Sequence, residues 1–312
     1  MTIEEAASPA GNARRPPVPK ALHHLAGSLA KGPWAVSLMQ PEAGWSWVSL
    51  RALVLEPGQS ASFGTGNQEV LVLPLAGSCK VTCDGEEHDL HGRPNVFAGV
   101  TDFAYVPCAA TVTVASALGG RFAVPGAMAQ QRLPFRYRAA PQTPVELRGA
   151  GNCSRRVVNY CMATTFEADH LIVCEVITPG GNWSSYPPHK HDEERPGEAR
   201  LEEIYYFEVG KGPSGEPGFA YQRIYGTPGR PIDLLVEVHD RDLVLVPHGY
   251  HGPSMAAPGY DLYYLNAMAG PGARAWLVSD DPAHAWVRES WERQHIDPRL
   301  TEPGARDLGG EM

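Results

Sequence analysis

The sequence predicts an all-β protein made of two tandem barrels. Its apolar segments are short and rich in Val, Leu, Ile and Tyr, as in "EVLVLPLAGS" and "DLVLVP", and turn residues end them at intervals of roughly eight to twelve positions. The 33 glycines and 29 prolines exceed the usual share and fit many turns between strands. Strands at this spacing are typical of sandwiches and barrels.

The two halves of the chain resemble each other, which predicts a duplicated domain. "LVLEPGQ" at 53–59 matches "EVITPGG" at 175–181, and "DFAYVP" at 102–107 matches "DLVLVP" at 242–247. Between these matches, Glu69 opens "EVLVLPLAGS" as Glu203 opens "EIYYFEVGK". Such a repeat is too long for a solenoid. We predict an N-terminal barrel over residues 1–145 and a C-terminal barrel with its tail over residues 146–312, divided within the Pro/Arg-rich stretch 130–149.

Helix is predicted only near the two ends of the chain. One candidate is the leader, residues 1–20, and the other is the tail over 282–294. In the tail, Asp281 suits an N-cap and Pro282 suits the first helical position.

Charge and cysteine usage narrow the classes of function. The formal net charge of -9 argues against a nucleic-acid surface, which needs clustered Lys and Arg. No stretch reads as a signal peptide or a membrane span. The six cysteines include no CxxC pair and lie mostly in strand-like apolar runs, which indicates reduced, buried thiols. We therefore expect a cytoplasmic protein without nucleic-acid or membrane partners.

A pair of histidines in the second half is the main chemical signal. In "WSSYPPHKHD", His189 and His191 are two residues apart, so on a strand both point to one face while Lys190 points away. Together with Glu203 and His251 they provide three imidazoles and a carboxylate, which suit Zn²⁺, Mn²⁺, Fe²⁺ or Ni²⁺. For the pair alone, the alternative is two solvated or hydrogen-bonded histidines on a surface strand.

The spacing of these residues resembles the two motifs of the cupin superfamily. The first motif, glycine, HxH, glutamate and glycine, matches Gly181, "HKH", Glu203 and Gly210. The second, proline, x, glycine and histidine, matches "PHGYH" at 247–251. The chain departs from the pattern in "DEERPGEARLE", which predicts a longer hairpin between HxH and the glutamate. Glu202 and His248 stay open as rival ligands, although strand parity favours Glu203 by placing Tyr205 and Phe207 on its face.

The first half lacks this set of ligands. It reads "SFGTGNQE" where HxH should fall, and "CAAT" after Pro107, with no histidine in either segment. Glu69 therefore has no visible co-ligands and is predicted to be a structural or hydrogen-bonded carboxylate. We expect the N-terminal barrel to be free of metal.

Longer motifs of the second half resemble one bicupin family, the 5-deoxy-glucuronate isomerases of myo-inositol catabolism. They are "GNWSSYPPHKHD", "LEEIYYFEV", "GFAYQRIYG", "DLVLVPHGYH", "PGYDLYYLNAMAGP" and "DDPAHAWV". The resemblance implies two jelly-roll-like cupin barrels and one divalent metal ion, with Zn²⁺ ranked ahead of Mn²⁺ and Fe²⁺. It also implies that His189, His191, Glu203 and His251 are the metal ligands. Bicupins often assemble through barrel faces, so a homo-oligomer is compatible with this resemblance.

The implied reaction is an aldose–ketose isomerisation of 5-deoxy-glucuronate to 2-deoxy-5-keto-gluconate. Moving a proton between adjacent carbons passes through an enediolate, whose negative charge a divalent ion stabilises as a Lewis acid. A hydride shift is the alternative route. The candidates for the proton-moving base lie beside a ligand or in the strand that follows, and are Glu202, Asp261, Tyr250 and His248.

The small-molecule uronate substrate also needs a partner for its carboxylate, and "GFAYQRIY" offers one. Tyr221, Arg223 and Tyr225 lie on one face of this predicted strand, and Gln222 and Ile224 lie on the other. Arg223, Gln222 and Tyr225 are the predicted substrate-binding residues, with Arg223 as a carboxylate clamp if its face points inward. The alternative for Arg223 is a surface or interface ion pair.

Three other functions compete with this interpretation. The related 4-deoxy-L-threo-5-hexosulose-uronate ketol-isomerases of pectin breakdown share the bicupin plan but lack "SSYPPHKHD". A cupin metal-dependent dioxygenase would hold Fe²⁺ with the same four ligands and consume oxygen. A non-catalytic sugar-binding bicupin usually has degraded ligand sets in both barrels, whereas here only the first set is degraded.

Overall fold

The computed structural model describes residues 21–301, and nearly all its elements are strands. The leader, with its predicted helix, lies outside the described residues. The first half contributes the first ten strands, which are β1 (His23–His24), β2 (Trp34–Leu38), β3 (Val48–Leu55), β4 (Ser60–Gly64), β5 (Gln68–Cys83), β6 (Glu86–Arg93), β7 (Phe103–Val106), β8 (Thr111–Ala115), β9 (Gly120–Met128) and β10 (Arg136–Arg138).

The second half supplies fourteen more strands. They are β11 (Val145–Arg148), β12 (Arg155–Cys161), β13 (Ile172–Thr178), β14 (Trp183–Ser184), β15 (His189–Lys190), β16 (Asp192–Arg195), β17 (Glu198–Arg200), β18 (Glu202–Val209), β19 (Ala220–Thr227), β20 (Arg230–Val238), β21 (Leu243–Val246), β22 (Tyr250–Ala256), β23 (Leu262–Ala269) and β24 (Ser279–Asp280). The hairpin β16–β17 is the insertion predicted between HxH and the glutamate.

Helical segments are short. The α-helices are α1 (Gln40–Ala43) and α2 (Val287–Ser290), and single 3₁₀ turns span Ala140–Gln142, Gly151–Cys153, Trp291–Arg293 and Pro298–Leu300. Among residues 21–301, no helix is long and apolar enough to cross a membrane.

The helix predicted over 282–294 is wrong in length. Only α2 and the 3₁₀ turn after it are helical there, because residues 282–286 form turns in which the Asp281 carbonyl accepts the N–H groups of both His284 and Ala285. The residues after the 3₁₀ turn bond to the second half. The His295 carbonyl accepts the Gly151 N–H at 2.8 Å, and the Asp297 N–H donates to the Ser154 hydroxyl at 2.9 Å. These contacts hold the tail against the barrel in extended form.

Each half forms its own barrel around an apolar interior. In the first half, one nine-stranded sheet has the order β10-β7-β5-β9-β3-β2, with β4, β6 and β8 attached to it. In the second half, a seven-stranded sheet (β1-β21-β18-β23-β13-β12-β11) faces a sheet of β20-β19-β22-β15-β24, to which β14 is also paired. These strands confirm the all-β prediction.

The seven-stranded sheet has two buried faces, and this explains its continuous apolar sequence. Along β18, Tyr205 and Phe207 point into the second barrel, whereas Ile204 and Tyr206 pack towards the first half. Along β13 and β23, successive side chains likewise point alternately into the second barrel and towards the first half. The predicted parity of Glu203 with Tyr205 and Phe207 is thereby confirmed.

One short strand of the first half belongs to the sheet of the second barrel. β1, from the first half, pairs with β21 of the second barrel, and β10 pairs with the corresponding strand β7 of the first barrel. The next strand, β11, joins the second barrel and begins at Val145. The predicted division after residue 145 therefore falls inside β11, while β1 lies in the sheet of the other half.

Two buried glutamates join the halves reciprocally. Glu69 accepts the N–H groups of residues 169, 170 and 171 at 2.8, 2.6 and 2.7 Å and the Tyr105 hydroxyl at 2.6 Å. Glu202 of the second half accepts the N–H groups of residues 46, 47 and 48 at 2.9, 2.7 and 3.2 Å. Glu69 is therefore a hydrogen-bonded structural carboxylate, as predicted.

This symmetry corrects the repeat alignment by one residue. Glu69 pairs with Ala127 as Glu202 pairs with Ala269, and Val70 pairs with Val106 as Glu203 pairs with Val246. Glu69 thus corresponds to Glu202, not to Glu203. Val70 occupies the position of the candidate ligand, and its isopropyl group lies in the apolar interior of the first barrel. A valine there cannot bind a cation, which explains why this barrel lacks the ligand set.

Candidate metal centre

Three strands of the second barrel bring the candidate ligands together. His189 on β15 lies directly across from His251 on β22, and His191 follows β15. The His191 carbonyl accepts the Leu201 N–H at 2.9 Å, which ties HxH to the start of β18. Glu203 enters from the facing sheet, so the cluster forms only when the barrel closes.

The four side chains meet in a buried cluster. Nε2 of His191 and Nε2 of His251 each lie 3.0 Å from Oε2 of Glu203, and the ligand atoms of these three residues all lie within 4.8 Å of one another. The His189 ring lies beside them, 4.4 Å from the His251 ring between centroids. All four residues are at least nine-tenths buried.

The orientation of the imidazoles fits a bound cation. Nδ1 of His189, His191 and His251 lies 3.4 Å from the carbonyl of Pro187, Leu201 and Gly249 respectively. Metal-binding histidines usually direct one ring nitrogen at such a group, which fixes the ring and leaves the other nitrogen for the metal. Nε2 is therefore the nitrogen available to a metal in all three rings.

One buried atom of the cluster has no hydrogen-bond partner. Nε2 of His251 is near the Glu203 carboxylate but makes no hydrogen bond in suitable geometry. Burial raises the pKa of Glu203, but His251 and His191 outweigh this and hold the pKa well below its usual range. An ionised carboxylate beside an unsatisfied imidazole fits a divalent cation, and the N₃O set suits Zn²⁺, Mn²⁺ or Fe²⁺.

Lys190 points away from the cluster, as its parity predicts. Its ammonium binds the carboxylates of Asp192 at 2.8 Å, Glu193 at 3.3 Å and Glu198 at 2.7 Å. These three acidic residues also come close enough to hold a cation, but Lys190, Arg195 and Arg230 already pair with them. The group is therefore an ion-pair network on the outer side of the HxH segment.

Asp192 connects the two ligand motifs through this network. Its Oδ1 accepts from Lys190, while its Oδ2 accepts the Gly249 N–H at 2.9 Å and Arg230 Nη1 at 2.8 Å. Gly249 has a φ of 88°, which favours glycine, and its carbonyl faces Nδ1 of His251. Asp192 therefore holds the HxH segment and the His251 turn in one arrangement.

We expect Asp192→Ala to weaken metal binding about 10- to 100-fold, the usual effect of removing a group that orients ligands. Asp192→Asn should retain most of the affinity, because an amide oxygen can still accept the Gly249 N–H. Competition with a coloured chelator measures both variants. Asp233→Ala, which removes a carboxylate that is 81% exposed, is the control. Wild-type affinity in Asp192→Ala would contradict this role.

Of the four predicted bases, Glu202 and Asp261 lie away from the cluster. The Glu202 carboxylate faces the first half and is occupied by three N–H groups. Asp261 is exposed and accepts the Gly180 N–H at 2.9 Å. Asp261 immediately precedes Leu262 at the start of β23. Met268, the cross-strand partner of Glu203, is six residues, or about 20 Å, further along this strand.

The other two predicted bases are closer in sequence to His251. Tyr250 lies on the opposite face of β22 from His251, with its ring 5.5 Å from that of Tyr225. His248 is buried beside Arg230 and Asp192, and its Nε2 has no hydrogen-bond partner. Burial and the Arg230 charge lower the pKa of His248. His248 thus keeps a neutral, unbonded nitrogen near the motif.

The predicted substrate-binding residues are divided between two faces of β19. Arg223 and Tyr225 point outward, because Arg223 pairs with Asp233 and the Tyr225 hydroxyl donates to Asp281. Gln222 points inward and is fully buried. The structure therefore corrects the prediction that Arg223 clamps the substrate carboxylate. Arg223 forms a surface ion pair, which was the alternative for this residue. Both faces of "YQRIY" carry polar and apolar groups, so the sequence did not reveal which one is buried.

The segment "SSYPP" positions polar groups inside the barrel. Ser185 Oγ lies 3.0 Å from the Tyr205 hydroxyl and 3.1 Å from that of Tyr264. The Ser185 carbonyl packs so closely on Gly252 that a Cβ there would lie 1.7 Å from it. Sequence reasoning missed this hydroxyl cluster because it depends on pairing between distant strands.

Two cavities lie near or between the barrels. One of about 210 Å³ is at the rim of the second barrel, where Leu201, Glu202 and Pro247 meet Trp47 of the first half. A larger open groove of about 950 Å³ is lined by residues including Phe135, Arg136 and Arg274. The larger groove contains none of the predicted site residues, and none of the four candidate ligands lines the rim cavity.

Comparison with known proteins identifies the relatives of this chain. The 5-deoxy-glucuronate isomerase of Geobacillus kaustophilus is 42% identical over 254 residues, covering 80% of this chain and 89% of that protein. The 5-deoxy-glucuronate isomerase of Bacillus subtilis strain 168 is 37% identical over 248 residues, covering 78% and 89%.

Solved structures agree with the predicted bicupin fold. An IolB-like protein from Salmonella typhimurium LT2 matches with a TM-score of 0.79 at 32% identity, covering 86% of this chain and 99% of that one. An oxalate decarboxylase from Lactobacillus farciminis matches with a TM-score of 0.60 at 10% identity, covering 84% and 88%, which shows the fold alone. The KduI/IolB family profile matches residues 22–287, more than half of the sequence. This chain therefore belongs to the KduI/IolB family.

Proposed function

We propose that this protein is a 5-deoxy-glucuronate isomerase that forms 2-deoxy-5-keto-gluconate and uses one divalent cation, with Zn²⁺ ranked first. The buried cluster of His189, His191, Glu203 and His251 is the observation that carries the proposal. The relatives at 37–42% identity are named 5-deoxy-glucuronate isomerase, and this chain aligns with most of their length. The ketol-isomerase alternative ranks second, because the matched relatives named above are all 5-deoxy-glucuronate isomerases.

The cluster suits an isomerisation between a carbonyl and its neighbouring hydroxyl. A bound divalent cation would supply Lewis-acid stabilisation of the negative charge that develops on the substrate oxygens. The chain fixes three ring nitrogens and a carboxylate in advance, so no reorganisation is needed when that charge appears. Burial of all four side chains excludes water and strengthens the electrostatic interactions.

His248 is our proposal for the group that moves the proton. Its unbonded Nε2 and lowered pKa give a neutral, buried imidazole three residues before His251, whereas Glu202, Asp261 and Tyr250 are held elsewhere. Proton transfer by such a side chain contributes about 10²- to 10⁴-fold to a rate. Gln222 is the one of the three predicted substrate-binding side chains that points into the barrel.

An NMR time course of 5-deoxy-glucuronate in deuterated water tests the function and the route. Turnover with solvent deuterium in the product supports proton transfer, and we expect His248→Gln to slow it at least about 100-fold. Turnover without deuterium favours the hydride shift and removes the need for His248 as a base. If metal-loaded protein leaves the substrate unchanged, the isomerase proposal fails.

We propose that the enzyme works in the cytoplasm on a small-molecule uronate. All six cysteines are free thiols, as expected in a reducing compartment. A homo-oligomer stays a prediction, and the elution volume of the purified protein with light scattering would measure it.

A further inference from the structure

Two amide side chains inside the second barrel have hydrogen-bonding groups without partners. Gln222 is fully buried and Asn266 is 4% exposed, yet Nε2 of Gln222 and Nδ2 of Asn266 make no hydrogen bond. The opposite ends of these amides are occupied, since Gln222 Oε1 accepts from Ser254 and Asn266 Oδ1 faces Cys174 Sγ at 4.0 Å. If the oxygen and nitrogen of either amide were exchanged, the oxygen rather than the NH₂ group would lack a partner.

Strand register places both amides next to the ligand cluster. Asn266 on β23 is two residues from Met268, the cross-strand partner of Glu203. Gln222 on β19 is two residues from Ile224, the cross-strand partner of His251. On a regular ladder, diagonal neighbours on one face lie about 7–8 Å apart, which applies to Asn266 and Glu203. The register of β19 and β22 shifts between Gln222 and Ile224, so that Gln222 pairs with Ser254, three residues from His251. The two amides therefore flank the cluster from opposite sheets.

Unpaired amides at this depth lower the stability of the folded chain, so a binding role is the physical reason to retain them. A neutral N–H donor recognises hydroxyl oxygens without requiring a charge.

We propose that Gln222 and Asn266 bind hydroxyl groups of an open-chain sugar acid and select substrates that carry these hydroxyls. This inference rests on the proposed function and adds Asn266, which the sequence did not single out. Sites that hydrogen-bond a hydroxyl reject analogues lacking it, because the buried donor is then left unpaired.

The test compares apolar replacements of similar shape, Asn266→Leu and Gln222→Met. We expect both variants to keep wild-type metal content and Asn266→Leu to melt at or above the wild type, whereas Gln222→Met also removes the acceptor of the Ser254 hydroxyl and should melt slightly lower. Their kcat/KM for 5-deoxy-glucuronate should fall about 10- to 100-fold, the effect of losing one or two hydrogen bonds. With the wild type, an analogue that lacks one of these hydroxyls should lose the same factor in kcat/KM. With Asn266→Leu or Gln222→Met, the analogue that lacks the hydroxyl bound by the replaced amide should have the same kcat/KM as 5-deoxy-glucuronate.

Asn182→Leu is the matched control. Asn182 is also buried, but its amide donates to the Ser154 carbonyl at 3.1 Å and to Asp297 at 2.9 Å. This variant should lower the melting temperature and leave substrate preference unchanged. If Asn266→Leu destabilises the protein like Asn182→Leu and retains the preference, the amide is structural and the inference is overturned. Absence of turnover in the wild type would instead overturn the proposed function.

Discussion

The His191→Ala variant is expected to bind less metal than the wild type and to lose about 10³-fold in turnover. His191 lies 3.0 Å from Glu203, and its other ring nitrogen faces a backbone carbonyl, so no neighbouring side chain can replace it. The cation is expected to supply several kcal/mol of charge stabilisation, and each 1.36 kcal/mol is tenfold in rate. Elemental analysis of purified protein and the NMR assay measure both effects.

His239→Ala is the control for this experiment. His239 belongs to the same barrel, and its side chain is 50% exposed and pairs with Glu237 at 3.0 Å. It should keep about one divalent ion per chain and full activity. Chelation of the wild type should abolish turnover, and added Zn²⁺ should restore it. Full metal occupancy in His191→Ala would contradict the ligand assignment.

We expect Glu175→Ala to lower the free energy of unfolding by about 3–5 kcal/mol, because it leaves a buried arginine unpaired. Glu175 forms a two-bond ion pair with Arg93 across the halves, at 2.8 and 3.0 Å, and the side chains are 0% and 3% exposed. Burial lowers the pKa of Arg93, but Glu175 outweighs this and raises it above its ordinary value. The arginine therefore stays charged in an apolar interface. Urea unfolding measures the loss.

Two comparisons isolate the effect of burial. Glu87→Ala breaks the exposed ion pair with Lys80, which solvent screens, so it should lower the free energy of unfolding far less than Glu175→Ala. The double variant Arg93→Met with Glu175→Leu removes both charges and should recover most of the stability. A loss below about 1 kcal/mol in Glu175→Ala would mean that water reaches this interface and solvates the arginine.

The sequence predicted the second-barrel ligand set because the pattern is local. Residues two apart share a strand face, so His189 and His191 act together and Lys190 turns away. The β16–β17 hairpin lengthens the spacing to Glu203, but parity along β18 still identified the residue. Because the two segments of the first half that match the ligand motifs contain no histidine, Glu69 was predicted to be structural, and its hydrogen bonds confirm this.

Other assignments depended on contacts that local sequence does not contain. Arg223 and Gln222 are adjacent, and only the pairing of β19 with β22 decides that Gln222 faces the barrel. Glu202 looked like a candidate base until the first half supplied three N–H groups to its carboxylate.

The sequence by itself determined an all-β, duplicated chain and predicted one candidate ligand set, because strand periodicity and turn residues are encoded locally. Tertiary structure decided the repeat register, which places Val70 where the second barrel has Glu203. It also decided which polar groups remain unpaired in the interior, Asn266 among them. The physical reason is that a strand's sequence fixes which residues share a face, whereas its neighbours in space fix what that face meets.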